Sequence, residues 1–121
     1  MPMHQKDFFG LRDLSADDIR YILSTAETMK YILNQKNKKS PYLQGKSVII
    51  LFYEQSARAK LSYELAAQHM SANVVDMTHS AHSMERESLQ DMGQLIDQMG
   101  ADFIILRHPM AGAARLLASC V

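Results

Sequence analysis

The chain has 121 residues, 47% hydrophobic and 21% charged, near the averages for soluble globular proteins and far from the composition that stays disordered. Thirteen Lys and Arg balance thirteen Asp and Glu, so no net field draws the chain to nucleic acid or an anionic membrane, and a small-molecule ligand is the expected partner. The single Cys120 excludes an internal disulfide, no apolar run approaches the roughly 20 residues that span a bilayer, and Met1–Lys6 lacks the apolar core of a signal peptide, so a cytoplasmic location is expected. A chain of this size is expected to form one domain over residues 1–121.

Ser15, with Asp18 three residues on, predicts a capped helix start, and Asp17 and Asp18 sit where the helix dipole favours anions. Ile19, Ile22, Leu23, Ala26, Met29 and Leu33 recur at helical spacing and define one apolar face; the polar stretch 34–40 and then Pro41 end the helix. Lys36, Lys38 and Lys39 in that stretch read as a solvated loop. Val48 to Tyr53 is continuously apolar and rich in β-branched residues, the pattern of a strand covered on both faces. After a short polar turn, Leu61, Leu65, Ala66 and Met70 predict a helix, and Asn73 to Thr78 a second, shorter strand.

His79 to Arg86 is polar and without period, hence a loop, expected on the same edge as the first turn. Leu89, Met92, Ile96 and Met99 predict an amphipathic helix stopped at Gly100, Asp102 to Leu106 a third strand, and a last helix starts at about Ala111. Strands alternating with helices define an α/β fold, a parallel sheet flanked by helices, whose ligands bind beyond the carboxyl ends of the strands. The turn at Ser56, the 79–86 loop and the Arg107-His108-Pro109 corner are expected to meet at that edge.

The segment Glu54-Gln55-Ser56-Ala57-Arg58-Ala59-Lys60 follows a buried strand and opens a helix, so its first backbone N–H groups lack intrahelical acceptors and suit an anion. Ser56 adds a hydroxyl, Arg58 a guanidinium able to grip two phosphate oxygens, and Arg107 a second cation from the end of the third strand. Capping and surface pairing would account for the same Ser and Arg taken alone. His108 reads as a structural histidine or a ligand contact, the structural role being favoured. His4, His69, His79 and His82 show no metal-ligand spacing, and no metal or cofactor is expected.

Collinear blocks then resemble one family. They are Phe8-Phe9-Gly10-Leu11-Arg12-Asp13-Leu14-Ser15, Leu43-Gln44-Gly45-Lys46, Phe52-Tyr53-Glu54-Gln55-Ser56-Ala57-Arg58, Ser62-Tyr63-Glu64-Leu65-Ala66-Ala67, Glu87-Ser88-Leu89-Gln90-Asp91 and Arg107-His108-Pro109-Met110-Ala111-Gly112-Ala113-Ala114. The chain is similar in these blocks to the aspartate and ornithine carbamoyltransferases, on the aspartate branch. The resemblance implies a first domain that binds carbamoyl phosphate, a second that binds the amino acid, and transfer of the carbamoyl group to an amine with loss of phosphate. It also implies pyrimidine biosynthesis and a homotrimer with sites at subunit contacts. Ser56 and Arg58 match the family's phosphate ligands, the backbone at Ala57 and Ala59 lies within the same turn, and Arg107 matches the arginine that contacts the substrate.

Departures from the family pattern put activity in question. Its phosphate turn reads Ser-Thr-Arg-Thr-Arg, and here Ala57 and Ala59 replace both threonines and Lys60 the last arginine. Losing one donor to transition-state charge costs about 10² to 10³ in rate. The family's loop donates a serine and a lysine to a neighbouring subunit. Aligned without a gap from Glu87, Glu85 falls at the lysine. With a one-residue deletion, Ser83 matches the serine and Arg86 takes the lysine's place, and this second alignment is preferred because it keeps a cation near the phosphate. Val121 precedes the family's histidine and glutamine motif and its amino-acid domain, so the residues are expected to be either a piece of a longer protein or a standalone relic. The expected function is the carbamoyl-phosphate half of an aspartate carbamoyltransferase, impaired as this chain; the alternative is a catalytically silent homologue acting as a structural or regulatory subunit.

Overall fold

The computed structural model describes residues 5–78 and 88–121. Contacts divide the chain into two compact units, one ending at Lys39 and one from Ser40 to Val121.

In the first unit, a single 3₁₀ turn, Leu11–Asp13, precedes helix α1, Ala16–Leu33. The expected cap is present as a reciprocal box: Asp18 N–H donates to Ser15 Oγ and Ser15 N–H donates to Asp18 Oδ2, both at 3.1 Å. The shielded stripe is narrower than the apolar pattern suggests. Ile19, Ile22, Met29 and Ile32 are half-buried, whereas Leu23, Ala26 and Leu33 are exposed, Leu23 at 61%. One residue step turns a side chain by about 100°, enough to carry Leu23 off a stripe centred near Ile22 and Met29.

The second unit is a three-stranded parallel sheet in the order β2-β1-β3, with β1 at Ser47–Phe52, β2 at Asn73–Asp76 and β3 at Phe103–Arg107. The apolar run is central: Val48 to Phe52 are all buried. Helix α2, Ala57–His69, links β1 to β2, and helix α3, Leu89–Gln98, precedes β3. The chain crosses from β1 out to β2 and then back past β1 to β3, and right-handed crossovers running in opposite directions along a sheet put their helices on opposite faces. Accordingly Ile49 and Leu51 pack with Met92 and Ile96 of α3, while Phe52, on the alternate face, meets Tyr63 of α2 edge to face at 6.4 Å.

Several boundaries differ from the patterning, each for a local reason. Strand β2 stops at Asp76 because Thr78 N–H turns back to Asp76 Oδ1 at 2.9 Å. Strand β3 starts one residue late, where the Asp102 carboxylate accepts from Ser47 N–H at 2.9 Å, and runs on through Arg107 because that residue pairs with Phe52 and its carbonyl accepts from Tyr53 N–H. Helix α2 does not use the predicted Leu61 and Leu65 face; Leu61 is 63% exposed, and the small Ala67 is the buried position. On α3 the predicted Met99 is likewise exposed, while Gly100, at φ +82°, ends the helix as expected. The last helix, α4, runs over Ala113–Ala118, starting after Gly112 at φ +83°. It lies close against α3: a Cβ on Gly93 would stand 2.7 Å from Leu117 Cδ1.

Candidate functional site

The chain leaves β1 into α2 on one face of the sheet and leaves β3 towards α4, which packs on α3 at the other face. Neighbouring strands whose exits diverge in this way open a crevice between their carboxyl ends, the usual ligand position in such sheets. The register sets what lines it: Arg107 pairs with Phe52, so the last residue of β3 stands beside the residue that leads into the Ser56 turn. A further bond, Tyr53 N–H to the Arg107 carbonyl at 2.8 Å, carries the pairing one step into that turn.

Ser56 is the N-cap of α2, and its carbonyl accepts the first helical bond from Lys60 N–H at 3.0 Å. Its side chain makes no capping bond, so the hydroxyl is not committed to the helix. The N–H groups of Ala57, Arg58 and Ala59 have no intrahelical acceptor, and no acidic side chain sits in the first turn to neutralise the positive end of the dipole. Arg58 is exposed and makes no hydrogen bond or ion pair among the described residues. Four of the expected positions, Ser56, Ala57, Arg58 and Ala59, therefore form one continuous helix opening, with Arg107 on the adjacent strand.

Arg107 does not stand alone. Its Nε donates to Glu54 Oε2 at 3.1 Å, across 53 residues of sequence, with both side chains partly exposed. Glu54 was not expected in the site. An acid two residues before Ser56 was visible, but only the β1–β3 register reveals that it faces Arg107. His108 serves the corner structurally: its ring tilts against Tyr53 at 4.7 Å, and Nδ1 accepts from Met110 N–H at 3.1 Å. On the β2 side, the Lys60 ammonium pairs with Asp76 at 3.1 Å. Burial disfavours the charged carboxylate of Asp76, but bonds from Thr78 and Lys60 outweigh it and hold its pKa below the ordinary value. Ser83, Glu85 and Arg86 lie outside the described residues.

The fold and this edge define an α/β domain in which the opening of α2, with Arg58, and the strand-end Arg107 lie at the carboxyl ends of β1 and β3. Residues 6–121 match the aspartate/ornithine carbamoyltransferase carbamoyl-P binding domain, and the chain belongs to that family. It is 55% identical over 119 residues to the aspartate carbamoyltransferase catalytic subunit of Acetivibrio thermocellus, covering 98% of this chain and 38% of that protein. The catalytic subunit of M. jannaschii aspartate transcarbamoylase superposes with a TM-score of 0.86 at 36% identity, over 96% of this chain and 38% of that one. The Trypanosoma cruzi aspartate transcarbamoylase in complex with carbamoyl phosphate and aspartate gives a TM-score of 0.84 at 26% identity, over 96% of this chain and 36% of that one. The chain thus spans under two-fifths of the length of these relatives. Among the described residues no helix is long and apolar enough to cross a membrane.

Proposed function

We propose that the chain holds carbamoyl phosphate at the β1/β3 crevice as the phosphate-binding part of an aspartate carbamoyltransferase in cytoplasmic pyrimidine biosynthesis. The observation that carries this is the register that sets Arg107 beside Phe52, so that a strand-end arginine and the uncapped opening of α2 share one edge. The amides at Ala57–Ala59, the Ser56 hydroxyl and Arg58 take the phosphoryl oxygens, and Arg107 takes the carbonyl oxygen. As the acceptor amine attacks the carbamoyl carbon, negative charge grows on that oxygen and on the leaving phosphate, and donors already oriented stabilise both. The acceptor is aspartate, and the working form is a homotrimer in which Ser83 and Arg86 complete a neighbouring site.

The absence of side-chain hydroxyls at Ala57 and Ala59 favours a second reading, a silent homologue that keeps the scaffold for a structural or regulatory role. Calorimetric titration with carbamoyl phosphate and with inorganic phosphate tests the first; binding of both is expected, and binding of neither sinks it. Sedimentation tests the assembly, with a trimer expected and a strict monomer at high protein concentration counting against it.

A further inference from the structure

Two cations stand two residues apart on the opening turn of α2 and are committed differently. Arg58 is exposed, with no bonded partner among the described residues. The Lys60 side chain is only 28% exposed, and its Nζ lies 3.1 Å from Oδ2 of an Asp76 side chain that is 23% exposed. Two helical steps separate the residues by about 200° around the axis, so they face opposite sides.

The Asp76 carboxylate is itself oriented. Thr78, which is buried, donates both its N–H and its hydroxyl to Oδ1, leaving Oδ2 towards Lys60. Asp76 closes β2 and pairs with Ile50 of β1, so this carboxylate is part of the sheet. Among the described residues, Lys60–Asp76 is the one side-chain ion pair or hydrogen bond that ties the 56–60 turn to the sheet. A lysine this near the positive end of a helix dipole weakens the helix start unless it is compensated, and α2 has no acid of its own in that turn. Asp76 supplies the compensating charge from the strand.

The geometry points to Lys60, held by Asp76, as a positioning residue that locks the opening turn of α2 to the end of β2 and keeps its amides and Arg58 aimed at the phosphoryl group. This rests on the phosphate-binding reading above. An anion held by backbone N–H groups depends on the orientation of the turn that carries them, and a small misplacement weakens every bond together.

The test is calorimetric titration of inorganic phosphate into the parent chain, Lys60→Met and Asp76→Asn. If net charge alone decided, the two variants would move oppositely, since losing a cation weakens anion binding and losing a carboxylate strengthens it. Positioning predicts that both weaken, by roughly threefold to tenfold, and that Lys60→Arg stays within about twofold of the parent. Tighter binding by Asp76→Asn, or parental binding by Lys60→Met, overturns the proposal. Thr78→Val removes the hydroxyl donor to Asp76 Oδ1 and keeps the backbone N–H and every charge, so it loosens the carboxylate and decides the question should Asp76→Asn not fold. A loss of about threefold supports positioning, and no loss overturns it. Failure of the parent chain to bind phosphate would instead overturn the functional reading itself, and this inference with it.

Discussion

The two ends of the sheet treat their polar groups in opposite ways. At the amino ends, Ser47 N–H reaches Asp102 Oδ2 and Asp102 N–H reaches the Ser47 carbonyl, both at 2.9 Å, and Asn73 N–H reaches the Lys46 carbonyl at the same distance. At the carboxyl ends Asp76 of β2 is bonded to Thr78 and Lys60, but among the described residues the opening amides of α2, the Ser56 hydroxyl and Arg58 carry no partner and Arg107 is held through one nitrogen only. A saturated edge keeps strands in register; an unsaturated one is free to bond a ligand.

The largest effect that would test this contrast is Arg58→Ala, expected to weaken phosphate binding by roughly tenfold to a hundredfold while moving the thermal midpoint by no more than about 2 °C. Unchanged affinity would mean that the open edge is not the site. Next, joined to a second domain of the family, a version with Ala57→Thr and Ala59→Thr should turn over aspartate and carbamoyl phosphate at least about tenfold faster than the unaltered sequence in the same context. If the threonines change nothing and Glu85→Lys restores turnover, the defect lies in the loop and the ungapped alignment is correct.

On the saturated edge, Asp102→Ala should cost about 1 kcal/mol in urea denaturation and leave phosphate affinity within about twofold. A large loss of affinity would show that the two ends are not independent. The smallest effect sharpens the role of Glu54. Its carboxylate competes with an anion for Arg107, so Glu54→Gln should tighten phosphate binding by about threefold. Weaker binding would instead make Glu54 the group that orients the arginine.

The central strand was legible because Val48 to Phe52 carry their burial in their own composition, and the Ser15 cap and Gly100 stop because each rests on backbone chemistry within a few residues. The opening of α2 was legible for a related reason, a helix start directly after a buried strand. The face of α2 was not. Its covered side carries Lys60, Glu64 and Ala67, polar or small residues that pattern reading assigns to solvent, because the helix crosses the sheet near a strand end where an acid awaits the lysine. Glu54 escaped notice because its partner is 53 residues away and depends on strand order. The Ser83 and Arg86 assignment turns on a gap that no local physical rule places.

Arg107 reaches Glu54 from within β3 rather than from the turn that follows it. Its aim is therefore inherited from the hydrogen-bond ladder with β1, in which Phe52 and Arg107 are the last of five matched pairs. Insertions and deletions should then be tolerated very unequally along this stretch. An extra or missing residue in the 108–112 turn leaves the ladder intact, whereas one removed inside 103–106 shifts every later side chain to the other face and sends the guanidinium away from Glu54 and the opening turn of α2. Sequence drift in β3 can be conservative in composition and still abolish the site, provided it changes the count.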